Sequence, residues 1–151
     1  MKKIRIKTIM FLLMATLTGI TFLSCNDDDK EERKTIVMED VSDYIPCLTT
    51  NYPQDSVIII NSNEELKEIC PDVSVFSIDF HKHSLLLVRS VTHSGISHIF
   101  TDLIKENPLK YILSVDIELN DATVAEHWYR FFVTSEKIDS NASVKLKVNY
   151  K

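Results

Sequence analysis

Glycine is nearly missing from this chain. Of 151 residues two are glycine, and only Gly95 follows residue 24. Glycine-rich loops that cradle phosphates or dinucleotides therefore have no place in the remainder, nor does the Gly-x-Ser-x-Gly turn of many serine hydrolases. Positive charge is scarce as well. Lys2, Lys3, Arg5 and Lys7 are four of the 17 basic residues, and none of the 22 acidic ones precedes Asp27. From residue 25 onward 13 basic residues face 22 acidic ones, a net charge of −9. So acidic a chain without a basic patch argues against nucleic acid as a partner. Long apolar runs are also lacking: Ile9 to Leu23 is the longest, and a spanning helix needs about 20 residues.

What is present begins at that short run. A basic start, an apolar stretch and no acidic residue make the layout of a signal peptide. It ends at Phe22-Leu23-Ser24-Cys25, where a small residue precedes a thiol that can carry lipid. These four residues resemble a bacterial lipobox, with Phe22 in place of the usual aliphatic residue. The resemblance implies that Cys25 becomes the first residue of the mature chain, with a diacylglycerol thioether and a further acyl chain such as palmitate. Two or three chains hold a protein to a bilayer durably, since each buried methylene contributes about 0.8 kcal/mol. Behind Cys25 stand Asn26-Asp27-Asp28-Asp29-Lys30-Glu31-Glu32. Asp27, Asp28 and Asp29 resemble the surface-export signal of Bacteroidota lipoproteins. The same residues also suit a solvated spacer.

The expected organisation is a signal peptide over residues 1–24, a lipidated acidic tether over 25–45 and a single β-rich domain over 46–151, an ordinary size for one core. Cys47 and Cys70 are left after Cys25 is assigned to lipid. An exported compartment permits them to pair, and two free buried thiols are the alternative.

Along the chain, residues 30–43 read as a linker with room for one short strand, and Val57-Ile58-Ile59-Ile60 as a buried strand. Ser62 and Glu65 form a capping box for one short helix over Asn63 to Cys70, which Pro71 ends. Phe76, Ile78 and Phe80 alternate with polar residues, His81-Lys82-His83 makes a turn, and Leu85 to Val88 completes the hairpin. Ile96 to Ile104 is expected as the third strand of that meander, entered at Gly95. Tyr111, Leu113, Val115, Ile117 and Leu119 alternate strictly with a mainly polar set. Ala122 to His127 crosses over, with room for a helical turn, to an aromatic strand, Trp128 to Thr134. A lysine-bearing edge strand, Val144 to Tyr150, ends the chain. These elements predict a mainly β fold, α+β only by virtue of one short helix, as an antiparallel β-sandwich or half-open barrel of about seven strands.

Phe76-Ser77-Ile78-Asp79-Phe80, Leu85-Leu86-Leu87-Val88-Arg89, Ser94-Gly95-Ile96 and the Trp128-Tyr129 strand together look like the small Bacteroidota lipoproteins of uncharacterised role. They are distantly similar to the C-terminal domain of PrcB-like lipoproteins. Ile96 and Ser97 replace the second glycine and aromatic favoured there.

Three constellations carry possible chemistry. Asp79, His81 and His83 fall at alternate positions, so on one strand they would share a face, as metal ligands must; in a turn that alternation fails. Trp128, Tyr129, Tyr111 and Phe131 form an aromatic platform for a sugar ring or part of the core. Asp55-Ser56-Val57 resembles the short O-glycosylation motif of the same bacteria and equally suits a turn. The expected function is a non-catalytic, lipid-anchored lipoprotein of the outer membrane, at the cell surface or on the periplasmic face. It would bind or stabilise a partner protein and need no cofactor. The alternatives are glycan binding through Trp128 and Tyr129 and metal-assisted hydrolysis through Asp79, His81 and His83.

Overall fold

A computed structural model of the chain describes residues 33–45, 47, 52–73 and 77–151. Cys25, Asp27, Asp28 and Asp29, the signal peptide and Phe76 lie outside the described residues. Eight strands are found among those that are described, in two four-stranded sheets. In chain order they are β1 (Lys34–Ile36), β2 (Met38–Asp40), β3 (Ser56–Ile60), β4 (Leu85–Thr92), β5 (Ile96–Asn107), β6 (Lys110–Leu119), β7 (Glu126–Thr134) and β8 (Ser143–Tyr150), with helix α1 (Asn63–Ile69) between β3 and β4. Sheet A has the order β1-β5-β6-β8 and sheet B the order β2-β7-β4-β3. The fold is mainly β and forms a sandwich; the sheets do not close into a barrel.

β6 shows how the sequence makes the inner face. Tyr111, Leu113, Val115 and Ile117 are buried, while Ile112, Ser114, Asp116 and Glu118 point away. Period-two alternation with one wet face is what an outer antiparallel layer requires. β4 and β7 follow a different rule because sheet B is covered on both sides. Leu86, Val88, Trp128 and Phe132 fill the space between the sheets, together with Ile36, Leu103 and Ile138. Leu85, Leu87 and Phe131 face a second core, closed by Val41, Ile45, Leu66, Ile69, Ile78 and Phe80. An unbroken apolar run such as Leu85 to Val88 is thus explained by a sheet with two buried faces.

α1 and the loops around it form the cover of that second core. Ser62 Oγ accepts from the Glu65 amide at 3.1 Å, and the Glu65 carboxylate accepts from the Asn61 amide at 2.6 Å. This is the capping box, displaced at its return bond by one residue. Leu66 and Ile69 are the buried side of the helix, each worth about 1.5–3 kcal/mol of apolar burial. Cys47 and Cys70 are joined by a disulfide, with 5.3 Å between their Cα atoms. The bond ties the loop after the 3-10 turn Ser42–Tyr44 to the end of α1.

Several expectations are corrected. Residues 34–45 are not tether: β1 pairs with β5, β2 pairs with β7, and Ile36, Val41 and Ile45 are buried. Short polar strands at sheet edges carry too little apolar pattern to stand out in a sequence. Val57 to Ile60 forms an edge strand, in which only Ile60 is fully buried. Ser77 to Phe80 has no strand, although Ile78 and Phe80 are buried, and β4 pairs with β3 and β7 instead. β5 leaves the meander for sheet A, and residues 122–125 contain no helical turn. Gly95 makes a close approach to the Asn120 side chain. A Cβ there would stand 2.4 Å from Asn120 Oδ1, and the Gly95 carbonyl accepts from the Asn120 amide at 2.9 Å.

The pairing of β6 with β8 is parallel, against an all-antiparallel expectation. β7 ends beside the end of the sandwich where β6 begins, and eight residues connect it to β8. The chain re-enters sheet A there and can only run alongside β6 in the same direction.

Candidate functional site

Asp79, His81 and His83 lie on a tight turn across the second core. The Asp79 carbonyl accepts from the Lys82 and His83 amides, and its carboxylate accepts from the His81 amide at 3.2 Å and from Lys82 Nζ at 3.1 Å. Lys82 and then the His81 amide hold the Asp79 carboxyl below the usual carboxylate range. His83 turns away, its Nδ1 donating to the Thr134 carbonyl at 2.9 Å. Among the described residues no three His, Cys, Asp or Glu side chains are grouped to hold a metal ion. Strand alternation fails at this turn, and the candidate triad is not assembled.

The aromatic platform is not assembled either. Trp128 and Tyr129 are neighbours on β7 and so point to opposite faces: Trp128 into the inter-sheet core and Tyr129 into the second core. Trp128 is 4% exposed, Tyr111 is buried in the same core, and Phe131 is buried in the second core. Trp128 Nε1, in its buried position, has no hydrogen-bond partner among the described residues. Tyr129 meets Phe131 edge to face at 5.9 Å. These rings are core, as strand aromatics usually are.

Two open clefts flank the Asp79 turn. One, of about 300 Å³, lies between it and the start of α1, lined by Asn61, Asn63, Glu64, Phe80 and Lys137. Lys137 Nζ is held there by the Phe80 carbonyl at 2.8 Å. The other, of about 490 Å³, runs toward β2 and the 3-10 turn, with Glu39, Tyr44, Asp79 and His83 on its walls. Tyr44 is 67% exposed, so the wider cleft pairs two carboxylates with a solvent-facing ring. Among the described residues no hydrogen bond joins a Ser, Thr or Cys side chain to a histidine. Asp55, at the O-glycosylation-like triplet, has a φ of 56° and accepts from the Ser90 hydroxyl, while Ser56 Oγ donates to the Pro53 carbonyl at 3.0 Å.

Sequence reasoning passed over one charge cluster. Glu136 accepts from Lys105 Nζ at 2.8 Å and from Lys34, and Lys105 lies over the Tyr111 ring at 5.6 Å. Its members stand 31 and 102 positions apart in sequence, so no local pattern could announce it.

Comparison with models of known families, with curated proteins and with solved structures returns no match. No relative lends this chain a function. No helix among the described residues is long and apolar enough to cross a membrane.

Proposed function

We propose that this chain is a lipid-anchored lipoprotein of the outer membrane, displayed at the cell surface, whose sandwich binds a partner protein without catalysing a reaction on it. The observation that carries this reading is Phe22-Leu23-Ser24-Cys25 followed by Asp27, Asp28 and Asp29. Acyl chains on the Cys25 thiol would supply the attachment, and the aspartates the export address. A disulfide between Cys47 and Cys70 agrees with residence in an oxidising compartment. The distant similarity to the C-terminal domain of PrcB-like lipoproteins is kept as part of the same proposal.

Of the two other readings, glycan capture loses its support with Trp128 buried, and hydrolysis with the Asp79, His81 and His83 side chains apart. The test has three arms. Mass spectrometry of the mature chain should find two or three acyl chains on Cys25, and Cys25→Ser should release the protein from membranes. Protease treatment of intact cells should degrade the native protein and spare a form with Asp27, Asp28 and Asp29 changed to Ala. Crosslinking in cells should capture one stoichiometric protein partner. An unmodified thiol at residue 25 would defeat the anchor, and crosslinking that returns no partner would defeat the binding role.

A further inference from the structure

We infer that the tip of the β5–β6 hairpin, Pro108-Leu109-Lys110, rests on the anionic headgroups of the membrane that holds Cys25, setting how the sandwich stands on its anchor. The inference rests on the anchor reading above and adds to it a second contact with the bilayer. Three independent observations lead to it.

The first is where the folded body begins. β1 starts at Lys34, nine residues after Cys25, and nine residues reach at most about 30 Å when fully extended. Without the long tether expected from the sequence, the body has little freedom to stand off from the bilayer. Lys34 is opposite Lys105 in β5, and two residues on, Asn107 is opposite Lys110. The chain therefore enters the sandwich at the end that carries this hairpin tip.

Charge is the second. Among the described residues Arg33, Lys34, Lys105 and Lys110 gather at this end, against Glu106 and Glu136. Including the nearby Lys137 and Asp139 leaves the same surplus of two positive charges. The rest of the described chain is strongly acidic. Arg33 pairs with Glu106 at 3.4 Å and Lys34 and Lys105 share Glu136, whereas Lys110 has no acidic partner among the described residues. A basic end on an otherwise acidic body suits a negatively charged surface.

The third is the way the apolar side chain is displayed. Leu109 is 49% exposed at the turn, yet its backbone is pinned: its amide donates to Asn107 Oδ1 at 3.0 Å and its carbonyl accepts from the Ser143 amide at 2.9 Å. A leucine held outward on a rigid turn beside a lysine has the pairing of apolar and basic groups found in segments that lie at a bilayer surface. A single such tip would not bring a soluble protein to a membrane. On a protein already anchored, the contact forms at high effective concentration and acts as an orienting stop.

The experiment uses the full mature, lipidated protein in vesicles of phosphatidylethanolamine and phosphatidylglycerol. A fluorescent label goes on Pro108→Cys or, as the opposite-end control, on Val124→Cys, since Val124 is 70% exposed in the β6–β7 loop. Access of a water-soluble quencher is measured in each. Flotation with the vesicles comes first and tests the anchor separately. The expected result is co-flotation with the label at 108 quenched at least about fivefold more slowly than that at 124. Shielding should fall in the Leu109→Asp background and when phosphatidylglycerol is replaced by phosphatidylcholine. Co-flotation with equal access at both sites would overturn this inference and leave the anchor standing. Shielding that survives Leu109→Asp, or that grows with protein density at fixed lipid, would overturn it in favour of contact with another protein molecule. Absence of co-flotation would overturn both.

Discussion

Ser84 shows how much a single buried hydroxyl can hold. It is fully buried, donates to Asn61 Oδ1 and accepts from the Ile138 amide at 2.8 Å, while its own amide donates to Thr134 Oγ1 at 3.0 Å. Ser84→Ala leaves the Ile138 amide and the Asn61 side chain without this partner, and the expected cost is about 1–3 kcal/mol. Urea unfolding of the variant should show a lower midpoint with an unchanged slope; an unchanged midpoint would mean that water replaces the hydroxyl. Glu136 makes a second residue-scale prediction. Hydrogen bonds from Lys105 and Lys34 hold its carboxyl below its ordinary value of 4.5. The unfolded chain therefore takes up this proton at a higher pH than the folded one. The stabilisation is full above 4.5 and is lost as pH falls through the lower folded value. With a side chain 26% exposed, the effect is modest, about 1 kcal/mol or less. Melting profiles taken down this acidic range should be flatter for Glu136→Gln than for the native protein. Neither residue is conspicuous in sequence, because the partners of each lie far along the chain.

At the level of elements, β8 is an edge of sheet A, paired on one side only among the described residues. Lys145 and Lys147 are exposed and stand beside Ile112 and Ser114 of β6, while Val144, Leu146 and Val148 pack inward. Charge on the outward face is the means by which such an edge is kept from pairing with another molecule. Changing both lysines to Val should leave the unfolding midpoint within about 0.5 kcal/mol and yet shift the protein to oligomers. Light scattering after gel filtration reads this directly, and a variant that stays monomeric would show that another feature protects the edge. The alternation of β8 and β6 was legible in sequence, as were the capping box of α1 and the turn at His81 to His83. Ser77 to Phe80 was misread because two apolar side chains at alternate positions suit a loop folded over a core as well as they suit a strand. Where β1 and β2 lie, only a linker with room for one short strand was legible, because three-residue edge strands carry almost no periodicity.

For the whole molecule, the position at which folding begins matters most. A chain shortened to start at Cys47 would discard β1 and β2 and with them Ile36, Val41 and Ile45, all nearly or fully buried. Removing buried aliphatic side chains costs about 2–5 kcal/mol each, and three of them match a stability of about 5–15 kcal/mol. Circular dichroism should find no cooperative melt in that shortened chain and a normal one in a chain that starts at Glu31, the first residue of the compact unit. A cooperative melt from Cys47 onward would return β1 and β2 to the tether. What the sequence determined by itself is what local patterns can carry: the lipobox-like segment, the acid run, the short helix α1, and strands whose residues alternate with period two. Only the tertiary structure decided which sheet each strand joins, that β8 runs parallel to β6, and that both faces of the strand carrying Trp128 and Tyr129 are covered. Strand pairing and the covering of a sheet depend on residues far apart in the chain, and alternation along one strand is the same whichever neighbour it finds.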